Sequence, residues 1–167
     1  MSAKAKSNKI PIENKANLIE YLQAGCKPKK DWRVGTEHEK FGYHLADFSP
    51  LSYEGPAGVR AVLDRLMRYE WSQIFEGENP IALSKPDGSF ISLEPAGQLE
   101  LSGAPLENIH QTCDEVTSHL QQVKAVAREL DLGFIGLGYH PKLTAKDMPW
   151  MPKGRYQIMR DYMPTKG

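Results

Sequence analysis

The stretch IALSKPDGSFISLEPAGQLELSG (residues 81–103) decides the fold. Residues 81–84 and 89–94 are β-prone runs. Between them Lys85-Pro86-Asp87-Gly88 is a turn with a mechanism, because proline presets φ and glycine accepts positive φ. Pro95-Ala96-Gly97 interrupts the chain, and residues 98–102 are extended again. Alternate side chains of a strand point to opposite faces. Ile91, Leu93, Leu99 and Leu101 therefore face a core, while Phe90, Ser92, Glu94, Gln98, Glu100 and Ser102 face the other way. Strands that follow one another through such short connections pair antiparallel.

Upstream, VGTEHEKFG (residues 34–42) lies in a run, residues 32–44, that reads as a strand. It places Glu37 and Glu39 on one face. Two carboxylates that close repel unless the face is solvated or a cation lies between them. If both strand regions belong to one sheet, Glu37, Glu39, Glu94 and Glu100 converge. Carboxylate oxygens are hard ligands suited to Mg²⁺ or Mn²⁺. A water-facing sheet with outward glutamates is the plainer reading of the pattern. Gly35, Gly42 and Gly97 in or beside these strands mark places where a ligand or another backbone comes close.

Helices flank these strands. Residues 14–24 read as a short helix with Leu18, Ile19 and Leu22 on one side and Gly25 as its stop. Val59, Val62, Leu63, Leu66 and Met67 have the spacing of an amphipathic helix ending near Tyr69. The series Leu106, Ile109, Cys113, Val116, Leu120, Val123, Ala127 and Leu130 marks the longest helix, with Gly133 as its C-terminal cap. Residues 134–139 read as a buried strand. Tyr156, Met159, Arg160 and Met163 mark a last helix. The elements make an α+β fold with a mostly antiparallel sheet, not a βαβ alternation.

Composition excludes several functions. Lys plus Arg and Asp plus Glu are both 21, so the net charge is zero and broad binding to nucleic acid is not expected. No apolar run approaches the ~20 residues of a membrane span. The start, MSAKAKSNKIP, is basic and polar with no apolar stretch behind it, and reads as a frayed terminus rather than a leader. Two cysteines, Cys26 and Cys113, fit a reduced, cytoplasmic protein. His110, Cys113 and His119 lack a second ligand pair, and Cys113 falls on the apolar stripe, so zinc is not expected. The glycines of residues 133–138 match neither the dinucleotide fingerprint nor the P-loop. His38 lies on the face opposite Glu37 and Glu39, which favours a structural use. Lys153, Arg155 and Arg160 surround a glycine at a helix start, an arrangement that suits a carboxylate or phosphate.

The segments RVGTEHEKFGYH (33–44), SLEPAGQLELSGAPLENIHQTC (92–113), SHLQQVKAVA (118–127) and MPKGRYQIMRDYMP (151–164) closely resemble the glutamate–cysteine ligase family, in its plant-like branch that also occurs in proteobacteria. The resemblance implies a glutamine-synthetase-like bent antiparallel sheet and an ATP-dependent C–N ligase. That enzyme joins the γ-carboxylate of L-glutamate to L-cysteine through a γ-glutamyl phosphate, the first step of glutathione biosynthesis. Another amine acceptor, or a non-catalytic domain binding metal or nucleotide, are the alternatives. By similarity Glu37, Glu39, Glu94 and Glu100 bind Mg²⁺ (Mn²⁺ possible), with ATP as co-substrate. Arg155 is the catalytic arginine near glutamate or phosphate, and Tyr156 and Met159 line the same pocket. Cys113 matches a redox-control cysteine whose partner lies beyond residue 167. The family's chains are much longer. Residues 1–30 are accordingly expected to be a basic tail and short helix. Residues 31–167 are expected to be the N-terminal part of a catalytic domain, inactive alone, from a protein that is a monomer or homodimer when whole.

Overall fold

The computed structural model describes residues 10–166. Of the stretch read above as a frayed terminus, residues 1–9 lie outside that range. The hairpin at residues 81–94 forms as its turn chemistry requires. Strands β3 (Asn79–Ser84) and β4 (Phe90–Glu94) flank a turn in which Lys85 N–H donates to Ser89 O (3.0 Å). Asp87 Oδ1 accepts from both the Ser89 amide (2.9 Å) and hydroxyl (2.6 Å), and Gly88 takes φ 93°.

The Pro95-Ala96-Gly97 break is a second tight connection, leading into β5 (Gln98–Ser102). Ala96 and Gly97 both have positive φ (68° and 74°). A Cβ on Gly97 would come within 3.1 Å of Met151 and Val59 side chains, so this corner admits only glycine without displacement. The break does not disturb phase: Glu94 pairs with Gln98, Ser92 with Glu100 and Phe90 with Ser102.

Strand β1 (Glu37–His44) pairs with β5, Glu39 opposite Glu100 and Glu37 opposite Ser102. With β2 (Ser72–Glu76) and β6 (Leu132–Ile135) it completes a six-stranded antiparallel sheet in the order β2-β3-β4-β5-β1-β6. The α+β class and the antiparallel sheet with flanking helices are borne out.

One face carries Leu83, Ile91, Leu93, Leu99 and Leu101, each at most 1% exposed. It packs under α2 (Val59–Leu66) and α3 (Ile109–Glu129) through Val62, Leu63, Leu66, Val123, Val126 and Ala127. Burying a side chain of this size contributes roughly 1.5–3 kcal/mol, so this face is the stabilising core. After β6 the chain returns along the other face, where Gln98 Nε2 donates to Leu137 O (3.2 Å). It ends in α4 (Gly154–Tyr162), whose Tyr156 enters the core.

Several boundaries differ from the sequence reading, each for a local reason. The first strand begins at Glu37, not residue 32, because its ladder with β5 ends at the Glu37–Ser102 pair. Further out, Gly103 N–H donates to Thr36 O (2.7 Å) and Val34 is bridged to Leu106. Strand β2 is unannounced in the sequence because a register shift at Ile74/Phe75 spoils its alternation. Strand β6 begins at Leu132. The turn out of α3 is made by Asp131 (φ 53°), not by Gly133. Helix α3 is rotated relative to the expected stripe. Thr112, His119, Val123, Val126 and Ala127 are buried, while Cys113 is exposed. Helix α1 (Lys15–Gln23) is capped by Asn14 as its composition suggests, but buries none of its residues, Leu18, Ile19 and Leu22 included.

Candidate active site

The register brings all four sequence-selected glutamates onto the face opposite the leucine core. They are not equivalent. Glu39 lies directly across from Glu100, the position of a cross-strand pair. Glu37 is one step out, exposed, opposite Ser102. Glu94 sits diagonally from Glu100 across the β4–β5 pair.

Glu100 is 3% exposed, and a carboxylate so placed needs partners. Ser92 Oγ donates to its Oε2 (2.7 Å) and Ser102 Oγ to its Oε1 (3.1 Å). Burial pushes the Glu100 carboxyl up, yet these hydroxyls favour the charged form and the net shift is downward. Each oxygen accepts one of these bonds and retains acceptor capacity for another ligand.

The first turn of α4 delivers the cationic side of the site. Arg155 Nη2 lies 3.3 Å from Glu94 Oε1, and its guanidinium lies 5.1 Å from the centre of the Tyr156 ring. Arg155 thus lies beside Glu94 at the edge of the acidic face. Tyr156 is 2% exposed, and its hydroxyl donates to Leu93 O at 2.6 Å. Burial raises that phenol to about 12. It is a packed, neutral anchor whose ring also borders the surface. Met159 lines an open groove of about 400 Å³ with Pro95, Trp150, Tyr156, Arg160 and Met163.

Lys40 escaped the sequence search, and Lys153, read there as part of an anion-binding turn, is instead buried. Lys40, 2% exposed, points to the core side, where its Nζ donates to His38 O (3.0 Å) and Leu99 O (3.3 Å) and meets His119 Nε2 at 2.9 Å. Burial lowers it to about 8, opposed by the charges of Glu100 and Glu39. Lys153, 4% exposed, donates to Leu93 O at 2.6 Å, and burial lowers it to about 8 as well. The signal available was Lys40 itself: in Glu37-His38-Glu39-Lys40 it holds an inward position of the alternation, where an apolar residue is expected.

The donor set is chemically suited to magnesium. Among the described residues no three His, Cys, Asp or Glu side chains are gathered as a metal cage. Magnesium does not need one: it keeps waters and bridges one or two carboxylates to phosphate oxygens. Glu39 opposite Glu100 supplies that number of carboxylates, and Glu94 lies diagonal to Glu100.

The sequence of residues 33–167 matches the family model for glutamate-cysteine ligase family 2. The chain belongs to that family. It is 54% identical over 154 residues to the chloroplastic glutamate–cysteine ligase of Medicago truncatula, covering 92% of this chain and 30% of that protein. Glutamate–cysteine ligase A, chloroplastic, of Oryza sativa subsp. japonica gives the same figures. The chloroplastic enzyme of Nicotiana tabacum is 54% identical over 153 residues, 92% of this chain and 29% of that protein. The chain thus spans about 30% of the length of these relatives. The expectation of a cytoplasmic location is overturned by them, since their names place them in the chloroplast. Cysteine content, on which that expectation rested, reports redox environment and does not separate one reducing compartment from another. Among the described residues no helix is long and apolar enough to cross a membrane.

Proposed function

We propose that this chain supplies the acidic face of an ATP-dependent ligase that joins L-glutamate through its γ-carboxylate to the amino group of L-cysteine, the first step of glutathione biosynthesis. The observation that carries the reading is Glu39 opposite Glu100, with Glu94 and Arg155 alongside, in a chain of the glutamate-cysteine ligase family.

The chemistry requires two stages. An oxygen of the glutamate γ-carboxylate attacks the γ-phosphorus of ATP and ADP departs. The cysteine amine, having lost a proton, then attacks the acyl carbon and expels phosphate, leaving the amide. Phosphoryl transfer of this kind is catalysed by positioning and charge stabilisation. Glu39, Glu100 and Glu94, with Glu37 at the rim, would hold Mg²⁺ or Mn²⁺, and the bound ion would offset phosphate charge. Arg155 faces the same side and presents a planar fork suited to a carboxylate or a phosphoryl group. Ser92 and Ser102 keep Glu100 ionised for this role. Met159 borders a groove, shared with Tyr156 and Arg160, that suits the substrate's less polar portion.

Glutamate carrying ¹⁸O in its γ-carboxylate tests the route. Incubation with ATP, Mg²⁺, cysteine and the protein extended to the relatives' length should give γ-glutamylcysteine and phosphate bearing one ¹⁸O. Phosphate without the label would rule out the acyl phosphate.

A further inference from the structure

An ammonium group out of water needs an acceptor for each of its three N–H bonds. Lys40 has three: His38 O, Leu99 O and His119 Nε2. The first two have a positional meaning. Residue 38 immediately precedes Glu39, and residue 99 immediately precedes Glu100. One ammonium thus ties together the two strands that hold the opposed carboxylates, from the face beneath them.

Lys153 holds one further carbonyl of this kind. It donates to the carbonyl of Leu93, which also accepts from the Tyr156 hydroxyl, and residue 93 immediately precedes Glu94. A carbonyl shares its peptide plane with the next residue's N–H and Cα. Fixing the carbonyls of residues 38, 93 and 99 therefore fixes the directions in which Glu39, Glu94 and Glu100 leave the backbone. Both lysines are almost fully buried, at 2% and 4% exposure.

We propose that Lys40 and Lys153 are positioning residues for the acidic face. From beneath, they hold Glu39, Glu94 and Glu100 in the arrangement that takes a divalent cation bridged to phosphate. The inference rests on the metal role assigned to that face under Proposed function. It goes further in naming what sets the geometry: two lysines acting on three backbone carbonyls.

The test uses the purified chain, extended to the natural stop codon where its gene continues, with Lys40→Met, Lys153→Met and a core control, Val126→Ala. Val126 is fully buried in α3, away from the carboxylates. Mn²⁺ binding in the presence of ATP is read from the loss of the free-ion paramagnetic resonance signal, alongside thermal melting. Loss of a group that orients metal ligands weakens affinity about 10- to 100-fold. Lys40→Met and Lys153→Met should each weaken Mn²⁺ at least about tenfold by that measure, while Val126→Ala lowers the melting temperature and keeps the unaltered affinity. If Lys40→Met does not fold, Lys153→Met carries the test. Unchanged Mn²⁺ affinity in a folded lysine variant would overturn the proposal alone, as would equal weakening in Val126→Ala. No Mn²⁺ binding by the unaltered protein would overturn the metal reading, and the proposal with it.

Discussion

His119 Nε2 lies 2.9 Å from the ammonium of Lys40, and both residues are 2% exposed. Two cations cannot share that space. Burial, then the charge of Lys40, holds the imidazole down to about 3. His119 is consequently the neutral acceptor and Lys40 the charged donor at neutral pH, which joins α3 to the strands bearing Glu39 and Glu100.

This pair sets an acid limit to stability. The folded state holds His119 at about 3, and the unfolded chain returns it to 6.5. Between those values the unfolded state binds the extra proton, so stability is complete above pH 6.5 and is lost as pH falls towards 3. At pH 5 the loss from this one group is about 2 kcal/mol. Melting at pH 7.5 and pH 5.0 should show a larger drop for the unaltered chain than for His119→Gln, which retains an acceptor without titrating. Equal drops would remove His119 as the cause.

Glu39→Gln removes one charge of the opposed pair at an exposed position. Surface substitutions usually move stability by no more than about 0.5 kcal/mol. Melting should therefore be preserved while the Mg²⁺ needed for half-maximal activity rises at least about tenfold, the scale on which metal surroundings act. Loss of the folded state in this variant would make the residue structural.

Arg155 and Glu94 form a partly exposed pair, with side chains 43% and 21% exposed. Such pairs contribute about 0–1 kcal/mol, so Arg155→Met should melt nearly as the unaltered chain does. Its activity should fall steeply, and Arg155→Lys should restore little, because lysine keeps the charge but not the planar fork. Full activity in Arg155→Met would exclude the arginine from the reaction.

Gly133 and Gly136 separate close packing from mere glycine content. A Cβ on Gly133 would collide with two ring carbons and the hydroxyl oxygen of Tyr43, whereas at Gly136 the nearest atom is Glu39 O at 3.5 Å. Gly133→Ala should destabilise by about 1–3 kcal/mol, the usual cost of overpacking. Gly136→Ala should be close to neutral in the same chemical denaturation.

The antiparallel sheet was legible because its turns carry their own chemistry. Lys85-Pro86-Asp87-Gly88 closes one hairpin, and the strands around Pro95-Ala96-Gly97 stay in phase, so Glu94 and Glu100 share a face. What escaped depends on tertiary surroundings. Strand β2 was hidden by the shift at Ile74/Phe75. The exposed side of α3 could not be assigned from a stripe containing Ile109 and Cys113, since both meet solvent while His119 is buried. Lys40 and Lys153 look like surface residues by type. The acceptors they reach, Leu99 O and His119 for Lys40 and Leu93 O for Lys153, come from elements distant in sequence and explain their burial.

The most direct measurement is ADP release by the purified chain, and by the chain extended to the natural stop codon where its gene continues. Each receives ATP, Mg²⁺ and L-glutamate, with and without L-cysteine. The account predicts cysteine-dependent release by the protein of the relatives' length, abolished by Glu100→Gln, with no turnover by residues 1–167 alone. A folded protein of that length that releases no ADP, or releases it equally without cysteine, would contradict the ligase.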